Sequence, residues 1–354
     1  MSSHQLHENR RRPRIGRLAR GRATAVCALV GLGVFVSVQS SVFGPAASAE
    51  SSPTSCQPTQ SRVWIDGGSF VMGSNNTYRE EGRARAVYVD GFWIDSTEVT
   101  TGEFQEFVDA TGYVTVAEKP YYDGEAPSGE PMKVSEPGGA VFVSDPGKMV
   151  GHANWWAWVP LASWRQPQGP HADQAGADIP VTQIAFEDAA AFAKWAGGRL
   201  PTEAEWEFAA LGGRANDTYS PDTPQQANTW QGIFPVMNTA DDGFEGIAPV
   251  GCFEPNGHGL YDMLGNVWEW TTDWYAPAHG DEHSNPKGPT ANASNASGPA
   301  NPGVPSRVIK GGSFLCAENY CRRYRPAARH PQETGLGTNH IGFRVVYDDP
   351  PPSE

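Results

Sequence analysis

The chain has 354 residues and a formal net charge of −14, with 40 glycines, 30 prolines and 12 tryptophans. Phosphate binding depends on clustered Lys and Arg, so an acidic composition excludes nucleic acid as a partner and favours cations such as Ca²⁺. The abundance of Gly, Pro and Trp indicates a loop-rich chain with sparse regular secondary structure.

The first 49 residues have the pattern of an export signal. Seven arginines lie between Arg10 and Arg22, an apolar run covers residues 23–38, and the Ala-Ser-Ala at 47–49 is typical of a cleavage site. The run is short for a transmembrane helix, which needs about 20 apolar residues, and an uncleaved anchor is the alternative. We expect an exported protein, secreted or in the periplasm or cell envelope, with no stable membrane anchor and an export route that the sequence does not identify.

Cleavage after residue 49 removes seven arginines and one glutamate, which leaves 19 basic and 39 acidic residues and a formal net charge of −20. The remaining chain of about 300 residues suits one large domain, since neither a linker nor an internal repeat divides it. We predict an N-terminal segment at 50–60, a single domain at 61–348 and a disordered tail at 349–354.

Four cysteines remain after cleavage: Cys56, Cys252, Cys316 and Cys321. In an oxidising compartment they allow three pairings. If Cys316 and Cys321 form a reactive pair, Cys56 and Cys252 are left to form a disulfide that ties the N-terminal segment to the domain. Two unpaired thiols are the alternative.

The first predicted elements are strands followed by a helix. Residues 61–73 alternate apolar and other positions around Gly67-Gly68, which predicts a hairpin, and residues 86–94 supply another strand. Residues 96–108 place cap-type residues before apolar positions at helical spacing, which predicts a short amphipathic helix.

The next segment, 117–180, combines many Pro, Gly and Trp residues with little periodicity, so we predict a long structured loop there. Helices follow at 187–196, before two glycines, and at 202–211, where Thr202 and Glu205 form a capping box. Residues 281–305 contain almost no large apolar side chains, which predicts a mobile surface loop.

The most reactive feature of the chain is the pair Cys316 and Cys321, set among Ser, Tyr and Arg in residues 311–325. Two thiolates at this separation can close a disulfide or hold a soft metal, because thiolates select Cu(I) and Zn. A redox-inert disulfide is the alternative, because an exported dithiol oxidises readily.

From Val63 to Tyr347 the chain resembles the formylglycine-generating enzyme, or sulfatase-modifying factor, family. The resemblance is carried by residues 64–73 (WIDGGSFVMG), 198–207 (GRLPTEAEWE), 259–270 (GLYDMLGNVWEW), 311–313 (GGS) and 341–344 (IGFR). It implies an α+β fold, a single domain low in regular structure and related to C-type-lectin-like folds. The fold is broader than the activity, since relatives include sulfoxide synthases, pigment-maturation proteins and lectin-like modules.

The two cysteines resemble those of the true enzymes, which oxidise a sulfatase cysteine in a Cys-x-Pro-x-Arg context to Cα-formylglycine with O₂ and Cu(I). The resemblance implies that Cys316 and Cys321 are catalytic copper ligands, that Ser313 and Tyr320 line the pocket, and that Trp268 packs at its wall. A purely structural role is the alternative for Trp268, because a buried indole is often core. The implied partners are an unfolded sulfatase polypeptide, O₂ and a thiol reductant.

Similarity also implies two structural calcium sites built from carboxylates, an amide and backbone carbonyls, the oxygen ligands that Ca²⁺ prefers. The alternative is that Asp242 and Glu269 only cap turns. The first set is Asn228, Thr229, Asp242 and Phe244, and the second is Asp262, Gly265, Val267 and Glu269.

Two other functions remain open from the sequence. One is an exported oxidase that matures another peptide or metabolite, because an exported enzyme has to meet an unfolded sulfatase outside the cell. Residues 330–337 also lack the Asp-Ser-Ser run common in the family, which concerns substrate preference. The other is a non-catalytic lectin-like module. The histidines, among them His258, His330 and His340, show no metal-ligand spacing, so an iron site of the sulfoxide-synthase type is not supported.

Overall fold

The computed structural model describes residues 56, 58, 60–125, 131–143, 155–214, 226–295 and 304–350, with the backbone alone at 121–125, 131–135 and 295. The predicted export signal at 1–49 lies outside these ranges, as do most of the 50–60 segment and the last four residues of the tail. Within the described ranges, no helix has both the length and the apolar composition that a bilayer crossing requires.

The described ranges contain three helices of nine to eleven residues. α1 covers Thr101–Thr111, α2 covers Phe186–Trp195 and α3 covers Glu203–Leu211. Threonine and glutamate side chains form capping boxes before α1 and α3, and left-handed glycines end both helices. The three predicted helices are confirmed, with ends that differ by a few residues. A short helix, α4, covers Ala291–Asn295.

The strands in the described ranges are short, as the composition predicts. They are β1 Arg62–Ile65, β2 Gly68–Met72, β3 Arg85–Val89, β4 Phe92–Asp95, β5 Tyr121–Glu125, β6 Pro131–Ser135, β7 Gly138–Phe142, β8 Trp156–Pro160, β9 Gly232–Ile233, β10 Met237–Asn238, β11 Trp268–Trp274, β12 Ser306–Lys310, β13 His330–Glu333, β14 Ile341–Gly342 and β15 Val346–Tyr347.

The predicted hairpin at 61–73 is wrong. β1 and β2 do not pair with each other, because β1 pairs with β4 and β2 pairs with β3. The predicted strand at 86–94 is accordingly divided into β3 and β4. Gly67 lies between β1 and β2, and Gly91 lies between β3 and β4. A Cβ atom at Gly67 would lie 2.7 Å from the backbone nitrogen of Gly91, so these two connections contact each other through their backbones. The contact accompanies the pairing of β1 with β4 and of β2 with β3.

The largest sheet in the described ranges has four strands in the order β13-β12-β11-β14. β11 runs antiparallel to β12 and parallel to β14. Side chains of α1, α2 and β11, among them Phe104, Phe192 and Trp270, form one buried core that also includes Cys316. Because β12 ends directly before residues 311–325, this sheet positions the start of the segment that carries the two cysteines.

Two segments predicted as loops contain more regular structure than expected. Residues 117–180 include the paired strands β5–β6 and β7–β8. Within 281–305, the His283 carbonyl accepts a hydrogen bond from Tyr88 N at 2.8 Å, and Ser294 Oγ donates to the Ser306 carbonyl at 2.8 Å. Polar and backbone hydrogen bonds thus hold the described residues of both segments, and an argument from apolar content does not take such bonds into account. Residues 126–130, 144–154 and 296–303 lie outside the described ranges, so the loop predictions are not tested there.

Cys56 and Cys252 form a disulfide across 196 positions of sequence. This confirms the pairing over the alternative of two unpaired thiols. Cys316 and Cys321, by contrast, are free thiols, so the two pairs of cysteines have different chemistry.

Candidate active site

Cys316 and Cys321 face a cavity of about 390 Å³ whose walls are mainly aromatic. The three other residues predicted for the site, Ser313, Tyr320 and Trp268, line the same cavity. The structure therefore brings together all five, while their chemical roles stay predictions. The remaining lining side chains are Phe142, Trp155, Trp156, Phe234, Leu315, Arg323, His330 and His340.

Backbone hydrogen bonds fold the cysteine segment back on itself. Cys316 N donates to the Ser313 carbonyl at 2.8 Å, and Cys321 N donates to the Ala317 carbonyl at 2.9 Å. A Cβ atom at Gly312, where φ is +78°, would lie 2.9 Å from Tyr324 Cα, so only glycine allows this close approach. The resulting turn places the two Sγ atoms 3.4 Å apart.

The thiol pair carries one strongly favoured thiolate. The hydrogen bond from Cys316 lowers the pKa of Cys321 to about 6, with a further contribution from Arg323. The same bond, together with burial, raises the pKa of Cys316 well above its ordinary value. The opposite pKa shifts of the two thiols mean that one proton is shared between the two sulfurs and that the negative charge lies on the half-buried Cys321.

Arg323 supplies the positive charge at this end of the cavity. Its Nη1 lies 3.9 Å from Cys321 Sγ, and its Nη2 pairs with Glu80 Oε1 at 2.6 Å. The guanidinium also lies over the ring of Tyr78, at 4.1 Å. Sequence reasoning missed this residue, although its position two residues after Cys321 is a usable signal. Nothing in the sequence indicates Glu80, which is 243 positions away.

The rest of the wall is uncharged. Tyr320, which is 48% exposed, stacks on Phe234 with a ring-centroid distance of 4.6 Å. Burial lowers the pKa of His330 to about 4 and that of His340 to about 3, so both imidazoles are neutral at pH 7. Neutral aromatic walls exclude water and strengthen the few electrostatic interactions that the thiols make.

The first predicted calcium set is assembled around Asp242. Its Oδ2 accepts from Thr229 N at 3.1 Å, and its Oδ1 accepts from Phe244 N at 3.0 Å. The Oδ1 atom of the adjacent Asn228 is buried and has no hydrogen-bond partner among the described residues. An orphaned amide oxygen, one residue before the backbone NH that binds this carboxylate, fits a cation that prefers oxygen ligands.

The second predicted set fits only in part. Asp262 has one buried oxygen without a partner among the described residues, and burial raises the pKa of its carboxyl to about 6. Glu269 differs from the prediction, because both of its carboxylate oxygens bind Arg344 at 2.7 Å and one also accepts from Trp206 Nε1. Its side chain belongs to a buried ion pair and does not offer a free oxygen to calcium.

No group of three or more His, Cys, Asp and Glu side chains suited to a metal ion occurs in the part of the chain that the structure describes. A soft cation at the two thiols, or a hard cation at the oxygen sets, therefore needs further ligands from amides, backbone carbonyls, substrate or water.

The model of the Sulfatase-modifying factor enzyme 1-like domain matches residues 47–349. The formylglycine-generating enzyme of Mycobacterium tuberculosis is 47% identical over 294 residues, which cover 81% of this chain and 97% of that protein. The protein named inactive C-alpha-formylglycine-generating enzyme 2 of Mus musculus is 41% identical over 306 residues, which cover 82% and 87%.

Among solved structures, PvdO from Pseudomonas aeruginosa matches with a TM-score of 0.55 and 23% identity, over 80% of this chain and 93% of that chain. This likeness shows the fold alone. One relative of 41% sequence identity is named inactive, so sequence identity alone does not show that a member of the family is an active enzyme. Any argument for activity therefore depends on the residues of the cavity that contains the two thiols.

Proposed function

The chain belongs to the family of the Sulfatase-modifying factor enzyme 1-like domain, and its predicted class, a single α+β domain with little regular secondary structure, is confirmed. From this premise we propose that it is a formylglycine-generating enzyme. It converts a cysteine in a Cys-x-Pro-x-Arg segment of an unfolded sulfatase to Cα-formylglycine, with O₂ as oxidant. The observation that carries the proposal is the pair of free thiols 3.4 Å apart in an aromatic cavity.

The overall reaction defines what must enter the cavity. Converting a CH₂SH group to an aldehyde with release of H₂S yields two electrons, whereas reduction of O₂ to water consumes four. Two molecules of a thiol reductant supply the other two electrons and leave as a disulfide. Formation of the aldehyde consumes one water and reduction of O₂ yields two, so the net products are aldehyde, H₂S, one water and the disulfide. The proposal therefore requires peptide, O₂ and reductant.

Cys316 and Cys321 are the residues that would hold copper(I), which when bound supplies the redox chemistry with O₂. The fit is chemical: the sulfurs are soft ligands, neither is tied up in a disulfide, and the pair already favours one thiolate at neutral pH. Arg323 holds that negative charge on Cys321 through Nη1.

The other side chains of the cavity bind and shield the substrate cysteine. Tyr320 is half-exposed and stacked on Phe234, so its ring offers a preformed surface to an extended peptide. Trp268 and the neutral His330 lie with ring centroids 5.8 Å apart and complete an uncharged wall. Such a wall keeps water away from a reactive thiol.

A second candidate is an oxidase of the same chemistry that acts on another peptide or metabolite. It is favoured by one observation, since His330 lies in the 330–337 segment that departs from the family pattern and also lines the cavity. A non-catalytic lectin-like role is disfavoured, because binding alone does not require two facing thiols.

Calcium and export complete the proposal. Asn228, Thr229, Asp242 and Phe244 hold a structural Ca²⁺, supported by the orphaned Asn228 oxygen and the acidic composition. Export to an oxidising compartment is supported by the signal-like residues 1–49 and by the Cys56–Cys252 disulfide.

The test is mass spectrometry of a Cys-x-Pro-x-Arg peptide after incubation with copper-loaded protein, O₂ and a thiol reductant. We expect an aldehyde that a hydrazide reagent traps. Cys316→Ala and Cys321→Ala should produce none, while the double variant Cys56→Ala/Cys252→Ala, which removes two cysteines outside the cavity, should still produce it.

Each contrary result has a distinct meaning. Aldehyde formation by Cys316→Ala would refute the assigned site. No aldehyde from wild-type protein with copper demonstrably bound would refute the sulfatase substrate and leave the oxidase with another client.

A further inference from the structure

A short hairpin at residues 232–238 carries three exposed apolar side chains. Its strands β9 and β10 are antiparallel, with Met237 opposite Ile233, and Val236 N donates to the Ile233 carbonyl at 2.7 Å to close the turn. Ile233 is 57% exposed, Val236 51% and Met237 50%. Directly opposite residues of an antiparallel pair have their side chains on one face, so Ile233 and Met237 lie side by side. We call Ile233, Val236 and Met237 the hairpin tip.

Trp230 fixes this hairpin to the segment that carries the cysteines. Its backbone N donates to the Cys316 carbonyl at 2.9 Å, and its indole Nε1 donates to the Met237 carbonyl at 2.9 Å. At the open end of the hairpin, Thr239 N donates to the Gln231 carbonyl at 2.8 Å. Hydrogen bonds therefore set the position of the hairpin tip relative to the two thiols.

Phe234, the residue after Ile233, belongs to the wall of the thiol cavity. Its ring stacks on Tyr320 at a centroid distance of 4.6 Å and lies 5.3 Å from the ring of Trp155. All three aromatic side chains line the cavity that contains Cys316 and Cys321. The hairpin thus contributes one side chain to the cavity and, beside it, an apolar surface that faces solvent.

The size and composition of the hairpin tip suit a peptide better than a second copy of this chain. A stable dimer buries about 800 Å² on each partner, far more than three half-exposed side chains provide. All three side chains are uncharged, and the flexible thioether of Met237 adapts to partners of different shape. Scattered exposed apolar residues are common on protein surfaces, whereas this group adjoins a binding cavity.

We propose that the hairpin tip binds an apolar side chain of the client polypeptide, outside its Cys-x-Pro-x-Arg segment. The inference rests on the proposed function, in which an unfolded client places its cysteine in the adjacent cavity. An unfolded chain leaves its apolar side chains open to contact, and burying one of them against the hairpin tip is favourable. Because an extended chain advances about 3.3 Å per residue, side chains a few positions from the cysteine lie outside the cavity. The hairpin tip then selects among clients that share the same motif.

The experiment measures the binding of fluorescent peptides to copper-loaded full-length protein by anisotropy, without O₂ so that no turnover occurs. Each peptide contains one Cys-x-Pro-x-Arg segment flanked by serines, and each member of the series carries leucine at one flanking position. We expect leucine on one side of the segment to tighten binding by about five- to tenfold relative to the all-serine peptide, which is the effect of partly burying one such side chain.

The double variant Ile233→Thr/Met237→Thr removes the apolar surface but keeps side chains that suit a strand. It should bind the leucine and all-serine peptides equally, with the affinity of wild type for the all-serine peptide. Ile233→Val/Met237→Leu should keep the leucine preference. Val114→Thr is the matched control, because Val114 is 49% exposed, follows α1 and does not line the cavity. Iodoacetamide labelling of Cys321 in metal-free samples should be the same in all these proteins.

Equal affinity of wild type for every peptide would overturn the proposal, as would a leucine preference that Ile233→Thr/Met237→Thr retains. Altered Cys321 labelling in this variant would also overturn it, by assigning the hairpin to the support of the thiol pair. Aldehyde formation from the same peptides in air separates this inference from the proposed function. Aldehyde without a leucine preference refutes only the contact at the hairpin tip, whereas a leucine preference without aldehyde refutes only the oxidation.

Discussion

Replacing Arg323 by Gln is expected to raise the pKa of Cys321 by about one to two pH units. The Arg323 Nη1 to Cys321 Sγ distance is 3.9 Å. At an effective dielectric constant of about 20, this separation corresponds to about 4 kcal/mol of attraction, or at most about three pH units. Glu80, 2.6 Å from the same guanidinium, cancels part of that attraction, so we expect the smaller effect.

The direction of the expected shift in the alkylation midpoint follows from the protonation state of Cys321. Since the pKa of Cys321 is lowered to about 6, the thiolate predominates at pH 7 in the wild type. Removing a positive charge disfavours the thiolate, so the alkylation midpoint should move to a higher pH. At pH 7 the variant should therefore react more slowly, and it should reach the wild-type rate only under more alkaline conditions.

The assay is the pH dependence of iodoacetamide labelling of metal-free protein, read on the peptide that contains Cys321 by mass spectrometry. Arg325→Gln is the matched control, because Arg325 pairs with Glu81 rather than with the thiol. Identical midpoints for wild type and Arg323→Gln, or an equal displacement in Arg325→Gln, would refute the electrostatic role of Arg323.

Three further predictions concern stability and the site. Cys316→Ala or Cys321→Ala should abolish peptide oxidation with almost no change in the thermal midpoint, and extensive unfolding would instead indicate a structural role. Cys56→Ser/Cys252→Ser should lower the free energy of unfolding in urea by up to about 5 kcal/mol, since the disulfide closes a loop of 196 positions; a loss below about 1 kcal/mol would contradict this loop-closure account. Glu269→Gln should cost about 3–5 kcal/mol by leaving Arg344 unpaired in the core, whereas Glu205→Gln, at the more exposed pair with Arg199, should cost about 1 kcal/mol or less in the same titration.

Local signals predicted the helices, and non-local contacts account for the errors in the strands. Thr202 and Glu205 interact within one turn, so their spacing alone determines where α3 begins. The partners of β1 and β2 depend instead on the approach of Gly67 to Gly91, which are far apart in sequence. Alternating polarity indicates a strand and its buried face but not the strand that it pairs with.

The same division applies to the site. Ser313, Cys316, Tyr320 and Cys321 lie within nine positions of one another, so a sequence motif is enough to find them. The charge on the thiols depends on Glu80 through Arg323, and that link exists only in the folded chain. The family resemblance likewise implied Glu269 as a calcium ligand, because a sequence motif does not reveal that Arg344 occupies this carboxylate in the folded chain.

The Cys56–Cys252 disulfide limits the choice of reaction buffer. Turnover as proposed consumes a thiol reductant, and both of these cysteines are only half-buried, so the same reagent can reach their bond. A strong dithiol would gradually release the N-terminal segment from the domain while leaving the cavity thiols reduced. A fall of the thermal midpoint during a long incubation would then report loss of this covalent cross-link, and a weak monothiol such as glutathione, renewed during the run, limits that loss.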